Sequence, residues 1–309
     1  MMRSLYSGIS GLRNHQTRMD VIGNNISNVN TAGYKTSRVI FQDIFSQNVK
    51  GGMANQDNVG GTNPIQIGLG IRLSTVDVMH TPAPFQRTDN PLDMMINGEG
   101  FFIVEGPDGN FYTRLGNFYI DESGYLVNSQ GYYVMTYSMG DWTPGTPADP
   151  GPPAVPATPA TFNPADPDIN APLERVRLRL PPAAGAPAGA QGDQLLGFSV
   201  DDSGTISVMH NNVKVEIARV AIGMFSNPSG LEKAGNSLYI ETPSSGAVVN
   251  TWAFENGAGR VDAGGLEMSN VDLADQFTDM IVTQRGFQAN SRIITVSDTM
   301  LEELVNLKR

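Results

Sequence analysis

Apolar residues recur at intervals of seven near both ends of the chain, while the stretch between them alternates over short runs broken by turn residues. Near the C-terminus, Leu273, Met280, Phe287, Ile294 and Leu301 form one row. Phe277, Gln284, Ser291, Asp298 and Val305 follow four residues behind. Two such rows sustained over about five heptads predict a long helix with an a/d seam. Ser269 and Asp272 resemble a capping box at its start. The polar middle of the second row favours packing among several helices over an isolated two-stranded zipper. At the N-terminus Leu5, Leu12, Met19 and Ile26 repeat the spacing, joined by Ile9, Ile22 and Val29. Gly8, Gly11, Gly23 and the asparagines at 24, 25 and 28 weaken that helix by up to about 1 kcal/mol each relative to alanine. Residues 1–30 and 266–309 are therefore expected to form a terminal helical domain, the N-terminal part dependent on partners for its order.

The interior predicts strands. Residues 31–80 are rich in Gly, Asn and Gln and look like an extended connector. From there, 81–143 and 191–265 carry closely spaced strand signals, such as Phe101 to Val104 followed by a Pro-Asp-Gly-Asn turn at 107–110. Residues 118–126 and 198–206 share one pattern, aromatic start and Asp-acid-Ser-Gly centre, and each predicts a hairpin with glycine supplying the positive φ. Between them, residues 144–190 hold thirteen of the twenty prolines and few large apolar side chains, which predicts an outer Pro/Ala-rich insert splitting one β-rich domain. The fold class expected is α+β, mainly β: a discontinuous β-rich domain bracketed by long terminal helices that pair in a coiled-coil-like inner domain.

Charge and composition then exclude whole classes of function. A net charge of −11 argues against nucleic acid as partner. The terminal segments are nonetheless complementary, since residues 1–38 carry five bases against Asp20 while residues 266–309 carry seven acids against four bases. Cysteine is absent, which excludes disulfides and thiolate metal sites. No apolar run is long enough to span a bilayer, so membrane insertion is not expected. The first fifteen residues lack the apolar core of a signal peptide, and export, if it occurs, is expected by another route. His15, His80 and His210 have no metal-binding spacing, and no P-loop, nucleophile elbow or dinucleotide fingerprint is present. Asp121 and Asp201, in the two hairpins, are candidates for a calcium loop or a carboxylate pair. The calcium reading lacks the closing Glu of a twelve-residue loop, and the pair needs a cleft the sequence does not reveal. No catalytic residue, cofactor or metal is expected.

The segment Gly23-Asn24-Asn25-Ile26-Ser27-Asn28-Val29-Asn30-Thr31-Ala32-Gly33-Tyr34-Lys35 reads as an Asn-capped helix end turning at Gly33 into extended chain. As a whole it resembles the N-terminal signature of the flagellar rod and hook axial proteins, with Asn24, Asn25, Asn28, Asn30, Thr31, Gly33, Tyr34 and Lys35 as motif positions. The likeness continues through 68–72, 90–93, 96–102, 112–118 and 227–231, and covers nearly the whole chain outside 144–190. The block from Phe277 to Arg292, with Gln-Arg-Gly-Phe-Gln-Ala-Asn-Ser at 284–291, is similar to the hook branch of that family in particular. The resemblance implies a subunit that polymerises helically into a hollow tube, forming the flexible hook that links rod to filament; the alternative is the distal rod. It further implies contacts with the distal rod, hook cap and hook–filament junction protein, and type III export to an extracellular site on the flagellum. The residues expected at subunit contacts are Leu5, Ile9, Leu12, Met19, Ile22, Ile26, Val29, Leu273, Phe277, Met280, Phe287, Ile294, Leu301 and Val305.

Overall fold

The structure, a computed structural model, describes residues 2–54, 60–143, 161–164, 172–175, 178, 197–210 and 213–307. The chain folds as two compact units, one of residues 1–30, 35–79 and 271–309, the other of residues 31–34 and 80–270. The fold is mainly β with a helix at each end.

In the first unit, helix α1 (Met2–Ser27) and helix α2 (Leu273–Asn306) pack together. Asp272 caps α2, its carboxylate accepting from the Ala274 and Asp275 amides. The helix therefore starts later than 266, and Ser269 lies outside it. The missing residues are accounted for: Gly265–Glu267 is a strand paired with Phe85–Arg87 in the second unit. Helix α1 stops at Ser27, short of residue 30, because Asn28 folds back, its amide group donating to the Asn24 carbonyl at 2.9 Å.

The segment expected to be a mere connector is built. Strand β1 (Ser37–Asp43) leads to β2 (Ser46–Lys50), then to β3 (Ile65–Gly68) and β4 (Ile71–Val78). β1 pairs antiparallel with β4 from Ser37 opposite Val78 to Asp43 opposite Ile71, with an irregularity at Ile40/Phe41, and β2 pairs with β3. The β1–β4 ladder packs on α1, where Asn14 donates to the Ile71 carbonyl at 2.8 Å. Residues 65–78, a short stretch of alternating apolar and polar positions within the extended connector, supply β3 and β4, and what the sequence does not carry is their long-range pairing with β2 and β1.

Among its described residues the second unit is built of β-strands, apart from one 3-10 turn at Pro228–Gly230. Its largest sheet centres on Phe101–Gly106, which pairs with Gly109–Thr113, Tyr133–Val134 and Ile222–Met224, and a four-stranded sheet runs in the order 136–138, 213–220, 205–210, 198–200. Both hairpins anticipated from the repeated pattern form. Gly124 and Gly204 adopt φ +90 and +72 and donate to the carbonyls of Asp121 and Asp201. The Asp121 carboxylate accepts from the Tyr125 amide at 2.7 Å, so its role there is to close the turn. The core joins the sheets: Phe102 and Phe118 meet edge to face at 5.2 Å, amid Met94, Ile96, Ile206 and Val220.

Most of 144–190 lies outside the described residues. Its described C-terminal part corrects the reading of an insert that contributes nothing to packing. Glu174 bridges Thr136, Arg175 pairs with Glu105 at 2.7 Å, and Leu178 is buried in the core. The large apolar side chain at 178 is reason enough, and the boundary drawn at 190 passed over it.

One buried ion pair organises this unit. Arg114 and Glu267, both almost fully buried, lie 3.7 Å apart. The Arg114 guanidinium also donates to the carbonyls of Ile96 and Gly98 and stacks on Phe101. Burial pushes its pKa below the ordinary arginine value. Glu267 accepts from the Ala83 amide through its carboxylate and from the Gly33 amide through its backbone carbonyl. Gly33 is at φ +70, and a Cβ there would meet the Leu115 backbone nitrogen at 3.1 Å, so the motif glycine serves both the turn and the close approach.

Candidate assembly interface

Helices α1 and α2 meet antiparallel along a ladder of named pairs. Gly8 lies against Ile293 and Ile294, Gly11 under the Asn290 amide, His15 over Gly286, Arg18 against Asp279, and Asn25 against Gln276. On α1 the contacting positions 8, 11, 15, 18, 22 and 25 alternate steps of three and four. On α2 the most enclosed row is Gln276, Thr283, Asn290 and Ser297, spaced by seven.

The heptad period is thus real, but the row that closes the pair is small and polar. A Cβ on Gly11 would come within 2.6 Å of the Asn290 side chain, and one on Gly286 within 2.7 Å of the His15 ring. The glycines that weaken α1 as an isolated helix are therefore what lets the two helices approach. Asn290 donates to the Gly286 carbonyl, Thr283 to that of Asp279 and Ser297 to that of Ile293, so the enclosed polar groups are satisfied within the helix. Arg18 and Asp279 add a partly exposed ion pair at 2.9 Å, worth up to about 1 kcal/mol. His15 packs edge-on against Phe41, and burial followed by the nearby Arg18 charge holds its pKa below the usual histidine value.

The motif residue Asn25 locks the end of this arrangement. Almost fully buried, it donates to the Ser37 carbonyl and the Gln276 side chain and accepts from the Ser37 amide. Asn24, Asn28 and Gly33 serve the turn already described. Tyr34 lies under the Lys233 ammonium at 5.2 Å and accepts from the Asn270 amide, Thr31 accepts from the Tyr34 amide, Lys35 is fully buried, and Asn30 is exposed.

The apolar rows expected to form the seam are where the difference lies. Ile22 is buried in the helix pair, while Leu5, Leu12, Met19, Ile26, Val29, Met280 and Ile294 are half-buried at its edges. Ile9, Leu273, Phe277, Phe287, Leu301 and Val305 are exposed. Around the same helix Ile281, Val282, Val296, Met300 and Leu304 are exposed as well, so α2 presents apolar side chains along its length. Each Å² of such apolar surface withheld from water contributes about 25 cal/mol, which makes this face the candidate for assembly. A recess of about 360 Å³ beside the helix pair, lined by Arg18, Ile22, Val39, Met79 and Asp279, interrupts the surface. Sequence reasoning found the apolar rows but missed the polar pairing row, whose signal was the seven-residue spacing of Gln276, Thr283, Asn290 and Ser297.

Nothing in this geometry resembles a catalytic centre. Among the described residues no group of three His, Asp or Glu side chains could hold a metal ion, and no helix is long and apolar enough to cross a membrane. The fold thus comprises a β-rich unit and a second unit whose terminal helix pair leaves an apolar face open.

Comparison with known proteins gives the family. Residues 5–35 match the flagella basal body rod protein model, 95–208 the flagellar hook protein FlgE/F/G D1 domain, and 262–307 the flagellar basal body rod FlgEFG protein C-terminal model. The chain is similar over the full length of both proteins to the flagellar basal-body rod protein FlgG of Bacillus subtilis (strain 168), at 42% identity over 311 residues. It is similar in the same way to the flagellar hook proteins FlgE of Borreliella burgdorferi, at 33% over 441 residues, and of Treponema pallidum, at 30% over 463 residues. The chain belongs to the flagellar rod and hook protein family, and it is a structural component of the flagellum rather than an enzyme.

Proposed function

We propose that this chain is the subunit of the flexible flagellar hook, polymerising head to tail into a hollow tube that links rod to filament. The observation that carries the polymer reading is the open apolar face of α2, centred on Phe277, Phe287 and Val305, which the pairing with α1 leaves uncovered. In this reading the helix pair lies on the inside of the tube, its exposed rows packing against those of neighbouring copies, and the β-rich unit faces outward. Gly and Asn residues along α1 make it a poor helix in isolation, which suits a chain exported unfolded by the type III apparatus and ordered on assembly. Expected neighbours are the distal rod, the hook cap and the hook–filament junction protein, with the assembled tube extracellular.

The hook assignment is supported by the block at 277–292, which resembles hook sequences. A second reading, distal rod, is favoured by length. The rod relative from Bacillus subtilis aligns over 311 residues, close to the 309 of this chain, whereas the hook relatives need 441 and 463. Electron microscopy of polymers grown from purified chain separates them: curved, bendable tubes support the hook, and straight rigid ones the rod. A chain that stays monomeric at high concentration under all salt conditions would overturn both.

A further inference from the structure

Phe254 combines two properties that a side chain without a partner should lack. Its ring is 66% exposed, and its backbone sits at φ +69. The other described non-glycine residues with positive φ are Asp89, Asn236, Ser237 and Asn256, types whose short polar side chains tolerate that conformation better than a bulky aromatic ring does. The loop around it is firmly built. Thr251, Ala253 and Ala258 are buried, Thr251 pairs with Ile222 in the sheet, and the Ala258 amide donates to the Glu255 carbonyl at 2.9 Å. An anchored loop that holds an aromatic ring out in water, in a conformation that opposes it, points to something the ring is held out for.

The same β-rich unit offers a matching recess. Phe85, Arg87, Asp89, Pro91, Ala263 and Gly264 line an opening of about 280 Å³, where about 150 Å³ suffices for a benzene-sized ring. Arg87, paired with Asp89, is exposed and presents its guanidinium at the rim, where it can cover an inserted ring. Glu255, exposed beside Phe254, would bring a carboxylate to that rim when the ring of one copy meets the recess of another. At a net charge of −11, copies of the chain repel one another overall, and a recess whose two charges, Arg87 and Asp89, are paired adds nothing to that repulsion.

We propose that Phe254 of one copy seats in the Phe85–Arg87–Pro91 recess of a neighbouring copy, a heterologous contact between outer units of the polymer. This rests on the polymer reading above. The two sites lie on one unit but the ring does not occupy the recess of its own copy, the arrangement that a head-to-tail repeat requires.

Phe254→Gly is the discriminating variant, because glycine suits φ +69 while removing the ring. Thermal unfolding of the variant should match or exceed that of the original chain, while the concentration needed for assembly, read by sedimentation, should rise about tenfold or more. Because the chain has no cysteine, the contact can also be mapped. Phe254→Cys chain and Arg87→Cys chain are copolymerised with an excess of the original protein and oxidised, and a disulfide-linked heterodimer should appear. Unchanged assembly of Phe254→Gly, a lowered unfolding temperature, or polymers that yield no heterodimer would each overturn the proposal while leaving the polymer reading standing. Failure of the unaltered chain to assemble would instead remove the polymer reading, and this inference with it.

Discussion

The side chain of Asn290 lies over Gly11, in space that a Cβ at position 11 would enter to within 2.6 Å. With the His15–Gly286 contact it lets the helices approach this closely, and a residue larger than alanine at 11 needs more room than a turn of the Asn290 side chain supplies. Gly11→Leu should therefore force the helices apart and cost about 1–3 kcal/mol, the usual penalty for overpacking. Gly11→Ala combined with Asn290→Ala should recover most of the loss of Gly11→Ala alone, as coupled neighbours do. Amide exchange along both helices measures it, and additive effects of the two changes would show that the contact does not set the spacing.

Phe287→Asp tests the outward face. Phe287 is exposed in the single chain, so a carboxylate there should change folding stability by no more than about 0.5 kcal/mol. In a polymer that covers the position the same carboxylate is buried without a partner, at a cost of several kcal/mol in every subunit. The expected outcome is a chain with normal circular dichroism and thermal unfolding that remains monomeric in sedimentation. Normal polymers from this variant would remove α2's apolar row from the assembly surface.

What could be read from the sequence divides along these two surfaces. Heptad spacing located both helices, and the repeated Asp-acid-Ser-Gly pattern located both hairpins, because each is a local signal that a short stretch of chain carries by itself. The face that closes the helix pair carries no hydrophobic signal, because Gly8, Gly11, Gln276, Thr283 and Asn290 meet through smallness and satisfied side-chain hydrogen bonds. The β1–β4 ladder was missed for a different reason. Its partners are 28 (Asp43 to Ile71) to 41 (Ser37 to Val78) residues apart, so no short stretch of chain carries the pairing. The buried Arg114–Glu267 pair, 3.7 Å apart in space, is distant in sequence and leaves no periodic trace.

His15 should make the helix pair sensitive to acid. Burial and Arg18 hold its folded pKa below the ordinary histidine value of about 6.5, so the folded state favours the neutral ring. A depressed folded pKa means that its contribution to stability is present above about pH 6.5 and is lost as pH falls through the lower folded value. Melting curves of the intact chain between pH 7.5 and 5 should fall more steeply than those of His15→Gln. An NMR titration in which the His15 ring protonates at or above the ordinary value would contradict the sign.

Leu178 ties the described end of residues 144–190 to the core. Its side chain is 1% exposed in the core with Phe118, Leu126 and Ile206, and its amide donates to the Gly124 carbonyl at 2.8 Å. Leu178→Ala removes buried methyl groups from a packed site and should cost about 2–5 kcal/mol. Residues 145–160 lie between two paired strands, Gly140–Thr143 and Thr161–Pro164, and a short turn can replace them at little cost, because loop closure depends only weakly on length. Thermal unfolding of the two variants should therefore differ sharply, with Leu178→Ala well below the original chain and the shortened chain close to it. Should the shortened chain melt as low as Leu178→Ala, the proline-rich stretch is part of the packed body. Should it melt normally but fail to form tubes, that stretch is a contact between subunits.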